Sequence, residues 1–387
     1  MRRSPDNLLR LALMALVLLS GAACHSPKYV HRVYWHRGAD YEDIHKFDAS
    51  VIEAPASAWD LPVVSSSHVA RVMESHDKIV DFGVFLEATE TCAFLAVHHD
   101  TLVAEHYLRD NTQHSMQNTF SVSKSVMSAL VGLAVRDSVL DLDAPITQYI
   151  PELLERDERF AEIHVDDLLY MRSGIKYSRK TSFPFVGSDD PLIYYHPDLQ
   201  SVVLKRTKIA SKPGEFKYNN YNPPLIGLIL RRTTGSTVSA YLEKELWKPM
   251  GAEMAAGWTV DDHGFERMES GFHACGRDLA RFGLLFLRGG NAGVTRVIPE
   301  EWVAESTRLP EPVEIETFNG RSWVYNAGWW LVPRESGPSD YCAIGAKGQY
   351  IYVSPQYNVV FIRNGPGRGE LGDFDWTELF YYAAERL

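Results

Sequence analysis

The chain has 387 residues, 45% of them hydrophobic and 23% charged, enough apolar material for a large soluble core. Its 39 Lys+Arg against 50 Asp+Glu leave a net charge of −11, which disfavours a nucleic-acid partner because that would want a basic face. No internal repeat, low-complexity tract or block of like charge stands out.

Met1-Arg2-Arg3 is a basic start, Leu11–Leu19 (LALMALVLL) is an apolar stretch of signal-peptide length, and Gly21-Ala22-Ala23 supplies small residues before Cys24. Residues 1–23 therefore read as an export signal, too short to span a bilayer comfortably. Cysteine directly after small residues also resembles a bacterial lipobox, with Gly21 where a leucine is usual, so lipid attachment at Cys24 stands beside plain cleavage. Either reading places the protein in the bacterial cell envelope, periplasmic or lipid-anchored. Cys92, Cys275 and Cys342 remain; no C-x-x-C and no Cys/His pair at zinc spacing occurs, so buried unpaired thiols are expected and no metal or cofactor is.

Residues 24–89 read as an N-terminal extension with a short helical pattern at 68–80, and 90–387 as the main domain. Cys92–His98 and Leu102–Leu108 are strand-like runs around a tight His99-Asp100-Thr101 turn. A long apolar helix opens near Ser121. Residues 141–260 read mainly as helices and loops, with Gly174, Gly235 and Gly251 at C-cap positions and a long aromatic loop at 176–197. From Trp323 strands return, and DWTELFYYAAERL closes the chain as a helix. Strands at both ends with helices between predict an α+β fold: a central antiparallel sheet built from both chain ends, flanked by helices, with an inserted mainly helical subdomain at about residues 150–265.

The chemistry concentrates at FSVSKSVMS, residues 120–128. Ser121 and Lys124 are three apart, so in a helix they share one face. A serine hydroxyl needs a base within hydrogen-bond reach, and a lysine in an apolar pocket can serve because burial disfavours its charged form. The bland alternative is an N-cap serine beside a solvated lysine. S-x-x-K also occurs at Ser75–Lys78 and Ser173–Lys176, but only Ser121–Lys124 opens a long apolar helix. In PGEFKYNN, Tyr218 and Asn220 form the one Y-x-N of the chain. Tyr218 is a candidate proton relay, and Asn220 a candidate partner for a substrate carbonyl or for Lys124. No G-x-S-x-G and no H-E-x-x-H occurs. His273 reads as lining of the pocket floor and Tyr177 as part of a lid.

In order, FSVSKS, LDLDAPITQYIPEL, VDDLLYMRSG, PGEFKYNNYNPPLIG and GRDLARFG resemble the serine β-lactamase/penicillin-binding protein family, in its class C and esterase branch. LLYMRSGI, FKYNN and SGFHACGRDLARFG resemble the 6-aminohexanoate-dimer hydrolases within it still more closely. The resemblance spans about residues 90–385. It implies a β-lactamase/transpeptidase-like fold, Ser121 as the acylated nucleophile, Lys124 and Tyr218 sharing the acid and base roles, and Asn220 supporting them. The sequence departs from the family at the third motif, where Lys-Thr-Gly or His-x-Gly should start a strand. Ala343-Ile344-Gly345 stands there, offering no side chain to a carboxylate. Gly345 is expected to keep space for a ligand, and the backbone N–H of Ala346 to join that of Ser121 as an oxyanion hole. The expected protein is an exported serine hydrolase of small esters or amides. A β-lactamase or D,D-peptidase is the first alternative, and a non-catalytic envelope binding protein on the same fold the second.

Overall fold

The computed structural model describes residues 26–36, 38–179, 188–310, 316–318 and 321–387, so the leader-like segment and Cys24 lie outside the described residues. In chain order the strands are β1 (Ala49–Ile52), β2 (Ala93–His98), β3 (Thr101–Tyr107), β4 (Met116–Asn118), β5 (Ala256–Thr259), β6 (Phe272–Cys275), β7 (Asn291–Ala292), β8 (Thr295–Arg296), β9 (Glu316–Phe318), β10 (Arg321–Asn326), β11 (Trp329–Val332), β12 (Asp340–Gly345), β13 (Gln349–Ser354) and β14 (Val359–Asn364). The helices that position the site are α1 (Pro27–His36), α2 (Ser123–Arg136), α3 (Asp189–Tyr195), α4 (Asn222–Thr234), α5 (Gly276–Leu287) and α6 (Asp373–Ala384). Among the described residues, no helix is long and apolar enough to cross a membrane.

The large sheet runs β3-β2-β14-β13-β12-β11-β10-β9, so strands from both ends of the chain meet at the β2–β14 pair. The β2–β3 turn places His99 and Asp100 at φ +45° and +64°, as the tight hairpin connection requires. Side-chain alternation then sorts β2 between two layers. Leu95 and Val97 join the core containing α2 and α5, whereas Phe94 and Ala96 join Trp376 and Phe380 of α6 on the other face. The sequence leaves residues 256–275 without strands, yet β5 and β6 lie there, in a second sheet of order β1-β5-β6-β4. These strands are short and buried on both sides, so they carry no alternating pattern to read. The 24–89 segment supplies β1 to that sheet and Tyr29, Val30 and Val33 to the main core.

α2 is buried on every side from Ser123 to Ala134, which explains its unbroken apolar composition. It starts two residues later than Ser121, which sits in a 3-10 turn at Phe120–Val122, so Ser121 is not its N-cap. Gly235 does end α4 in the left-handed conformation, whereas the Val165–Leu169 helix stops before reaching Gly174. Cys92, Cys275 and Cys342 are buried free thiols.

α5 lies directly on the sheet because Gly283 has no side chain there: a Cβ would meet Val360 Cγ1 at 2.6 Å and Ile351 Cγ2 at 3.1 Å. Gly283→Val is therefore expected to overpack this contact and lower the unfolding free energy by about 1–3 kcal/mol, read as a lower denaturant midpoint. An unchanged midpoint would show that α5 can lift off the sheet without loss.

Candidate active site

The site begins at a strained turn. Phe120 takes φ +48°, an uncommon conformation for a bulky residue, immediately before Ser121. Polar bonds hold it. Thr119 directs its hydroxyl to Phe272 O at 2.6 Å, Ser123 Oγ donates to Phe120 O at 2.6 Å, and Ser123 Oγ accepts from Phe272 N at 3.0 Å. The crowding of serines thus has a structural cause: Ser123 ties the turn to β6, and Ser125 Oγ donates to Gly328 O at 2.7 Å. Ser121 is the one left facing a cavity.

Lys124 is buried, yet its Nζ donates to Ser121 Oγ at 3.1 Å and to the Glu269 carbonyl oxygen at 2.7 Å. Both partners are neutral, so no ionised group is bonded to the amine. The Tyr218 ring packs against the same nitrogen, with its centroid 5.0 Å away, and is itself stacked on Trp330 at 6.0 Å. Among the described residues, no hydrogen bond joins the Tyr218 hydroxyl to Ser121 or Lys124. The structure therefore brings Ser121, Lys124 and Tyr218 together, through the ring face rather than the hydroxyl for the last.

A cavity of about 350 Å³ opens over Ser121, walled by Phe120 and Ala346 near the serine, by Asp190, Tyr194 and Tyr195 of α3, and by Asn220, Glu269 and Ser270. Several expectations change here. Asn220 lines the cavity, but its amide is bonded away from Lys124. Its Nδ2 donates to Tyr177 Oη at 2.9 Å and to Asp190 Oδ1 at 3.0 Å, because a carboxylate that only accepts takes up the NH₂ group. Tyr177 is no lid: it is buried, donates to Asp190, and backs Asn220 from outside the cavity wall. His273 does not line the cavity either. It is buried on β6 against Gly257, where a Cβ would stand 2.1 Å from its Nε2, and burial holds its pKa down at about 4, so it is neutral. Gly345 makes room for protein, not ligand: a Cβ there would lie 2.1 Å from Thr119 O. Ala343 is fully buried in the core on the α2 side.

Ala346 does border the cavity with Ser121, at the end of β12 beyond its pairing with β11, which stops at Cys342. Among the described residues neither the Ser121 nor the Ala346 N–H is spent in a turn or loop hydrogen bond. The sequence reading missed Glu269 and Asp190. Glu269 is buried beside Lys124, with Oε1 accepting from Ser270 Oγ at 2.9 Å and Oε2 unpartnered. Desolvation raises its pKa, as it does that of Asp190, so both carboxyls lean toward their neutral forms. No motif marks either residue; only the fold brings them to the serine. No group of three or more His, Cys, Asp or Glu forms a metal site among the described residues.

A hydroxyl in contact with a buried amine at the base of a cavity is a set of parts suited to acyl transfer. Comparison with known proteins agrees. The family profile described as Beta-lactamase matches residues 83–383. The chain belongs to the beta-lactamase family. It is a serine hydrolase of that family, and it is 27% identical over 319 residues to a 6-aminohexanoate-dimer hydrolase of Paenarthrobacter ureafaciens, covering 78% of this chain and 79% of the relative. A Bacillus anthracis structure provisionally named a 6-aminohexanoate-dimer hydrolase superposes with a TM-score of 0.76 at 20% identity, covering 92% of this chain and 95% of that one. A class C beta-lactamase superposes with a TM-score of 0.62 at 14% identity, covering 83% and 97%, which shows the shared fold. Within this beta-lactamase-family fold, the chain sets Lys124 against Ser121 and a buried alanine at Ala343.

The buried carboxyl of Glu269 makes a stability prediction. Its folded pKa is raised above the usual 4.5, so the folded state holds the proton more tightly and stability falls as pH rises from 4.5 through the folded pKa. Glu269→Gln removes that loss. The variant is expected to gain melting temperature over the wild type most at pH above the folded pKa, and the gain should shrink as pH falls toward 4.5. A gain independent of pH would mean that Glu269 does not change its protonation on folding.

Proposed function

We propose that the protein hydrolyses small esters or amides through an acyl-enzyme on Ser121. The observation that carries this reading is the 3.1 Å contact from Lys124 Nζ to Ser121 Oγ at the base of the cavity. Ser121 Oγ attacks the substrate carbonyl carbon, and its proton passes to Lys124 or Tyr218. The oxyanion rests on the N–H groups of Ser121 and Ala346. Tyr218 then protonates the leaving alcohol or amine. Water attacks the acyl carbon, gives its proton back through the same groups and frees Ser121. The Paenarthrobacter relative is named for a dimer of 6-aminohexanoate, a small molecule, and a cavity of about 350 Å³ is also of small-molecule size. The leader-like residues 1–23 support an exported protein of the bacterial cell envelope, with Cys24 as a candidate lipid attachment point.

The buried alanine at position 343 favours uncharged substrates over penicillins. Among the described residues that line the cavity, the one cation is Arg179, and its Nε lies 3.5 Å from Asp190 Oδ2. Ala343 offers nothing to a carboxylate. A missing charge-assisted hydrogen bond of this kind is worth roughly 1.5–3 kcal/mol, about 10–100-fold in rate. kcat/KM for a neutral aryl ester is therefore expected to exceed that for a chromogenic cephalosporin clearly; efficient cephalosporin turnover would favour the penicillin-interacting reading instead.

Ser121→Ala is expected to abolish aryl-ester turnover while the circular dichroism spectrum and melting temperature hold. Retained turnover would remove Ser121 from the mechanism. Tyr218→Phe keeps the ring against Lys124 and deletes only the hydroxyl, and is expected to cost roughly 10²–10⁴-fold in kcat. Full activity in Tyr218→Phe together with a loss in Tyr218→Ala would limit this residue to its ring contact.

A further inference from the structure

We infer that residues 27–36 and 38–48, which lie outside the family-matched span of 83–383, set the size of the group the site accepts, acting as one wall of the cavity over Ser121. The inference rests on the acyl-enzyme reading above and names what that site selects. Val33, Gly38 and Ala39 all border the cavity, Val33 as a buried apolar wall and Ala39 at the solvent-exposed rim. This segment is not a loosely attached arm. α1 buries Tyr29, Val30 and Val33 along one stripe, the spacing of a helix seated on a core. Its outer face is pinned to Asp262 by Lys28 Nζ at 2.5 Å and Arg32 Nη2 at 2.7 Å.

The segment also grips both sides of the cavity. Toward α3, Asp43 accepts from Tyr194 Oη at 2.8 Å, and Tyr195 is stacked on His36 at 5.9 Å and tilted against Phe47 at 6.1 Å. Tyr194 and Tyr195 are cavity residues, so the extension fixes the facing wall as well as supplying its own. Toward the serine, Tyr41 donates to Gln117 and Asn118 Nδ2 donates to Asp40 O at 3.1 Å, both on β4, the strand that leads into the Ser121 turn. A wall bonded on both flanks cannot retreat to admit a larger group without breaking buried contacts. Its bordering side chains, valine and alanine, are small and apolar, so their volume limits an uncharged chain by shape. One methylene too many or too few in such a pocket changes kcat/KM by roughly 10–200-fold.

The test is a series of aryl esters, acetate, butyrate and octanoate, on the full exported chain and two variants. Val33→Ala deepens the wall and is expected to raise the octanoate-to-acetate ratio of kcat/KM by about tenfold. Ala39→Phe, at an exposed position that tolerates the added ring, is expected to lower the same ratio by about as much. Labelling of wild-type Ser121 by a small fluorophosphonate reports the acyl-enzyme reading separately. Ratios that stay within twofold of wild type in both variants, with Ser121 labelled, overturn the wall and leave the acyl-enzyme standing. Wild-type protein that neither labels nor turns over any ester overturns both. Ratios shifted in opposite directions by the two variants support the inference.

Discussion

The peptide unit of Thr119 is held between two sheets, and the site depends on that grip. Its N–H and its hydroxyl both go to Phe272 O on β6, at 3.3 and 2.6 Å. Its carbonyl backs onto Gly345 of β12, where any side chain would collide. With Thr119 fixed from both sides, the chain can turn into α2 only through a left-handed Phe120, and that turn presents Ser121 to the cavity. The cost of such a conformation, of order 1–3 kcal/mol, persists only where the surroundings over-determine it.

The second theme is how few polar groups the site leaves unassigned. Ser123 and Ser125 are spent on backbone carbonyls, the Asn220 amide on Asp190 and Tyr177, and Lys124 on Ser121 and one carbonyl. What remains among the described residues is the serine oxygen, with Oδ1 of Asn220 and Oε2 of Glu269 unpartnered beside it. Buried polar groups that are satisfied do not wander, so the Ser121 oxygen is held in one place.

Much of this was legible in the sequence, and the parts that were not share a cause. Ser121 with Lys124, the β2–β3 hairpin, α5 and the return of strands after Trp323 follow from local spacing and periodicity. The residues that misled were those whose partners lie far away in the chain. Asn220 is turned by Asp190, thirty positions off, and no spacing reveals which side of an amide a distant carboxyl will claim. Gly345 looked like space for a ligand because a glycine at a strand end signals close approach without naming what approaches. His273 and Tyr177 were placed in the pocket by type, whereas burial put them behind its walls. β5 and β6 are too short and too buried to carry a period, and the extension's place in the fold is set by partners 76 to 230 positions away, which no local pattern marks.

The β2–β14 seam has a consequence for the order of assembly. Ala93 pairs with Asn364 and His98 with Val359, so the centre of the large sheet joins segments from nearly opposite ends of the chain. Closing so long a loop is entropically slow, and strands of this kind pair late. As the chain emerges, β2 has only β3 beside it, and the Phe120–Val122 turn has neither β12 nor β13 to pack on. The glycine that fits against Thr119 is made near the end of synthesis. The Ser121 turn can take its shape only once the last strands dock, so a nascent or clipped chain carries the serine without the geometry the folded site gives it.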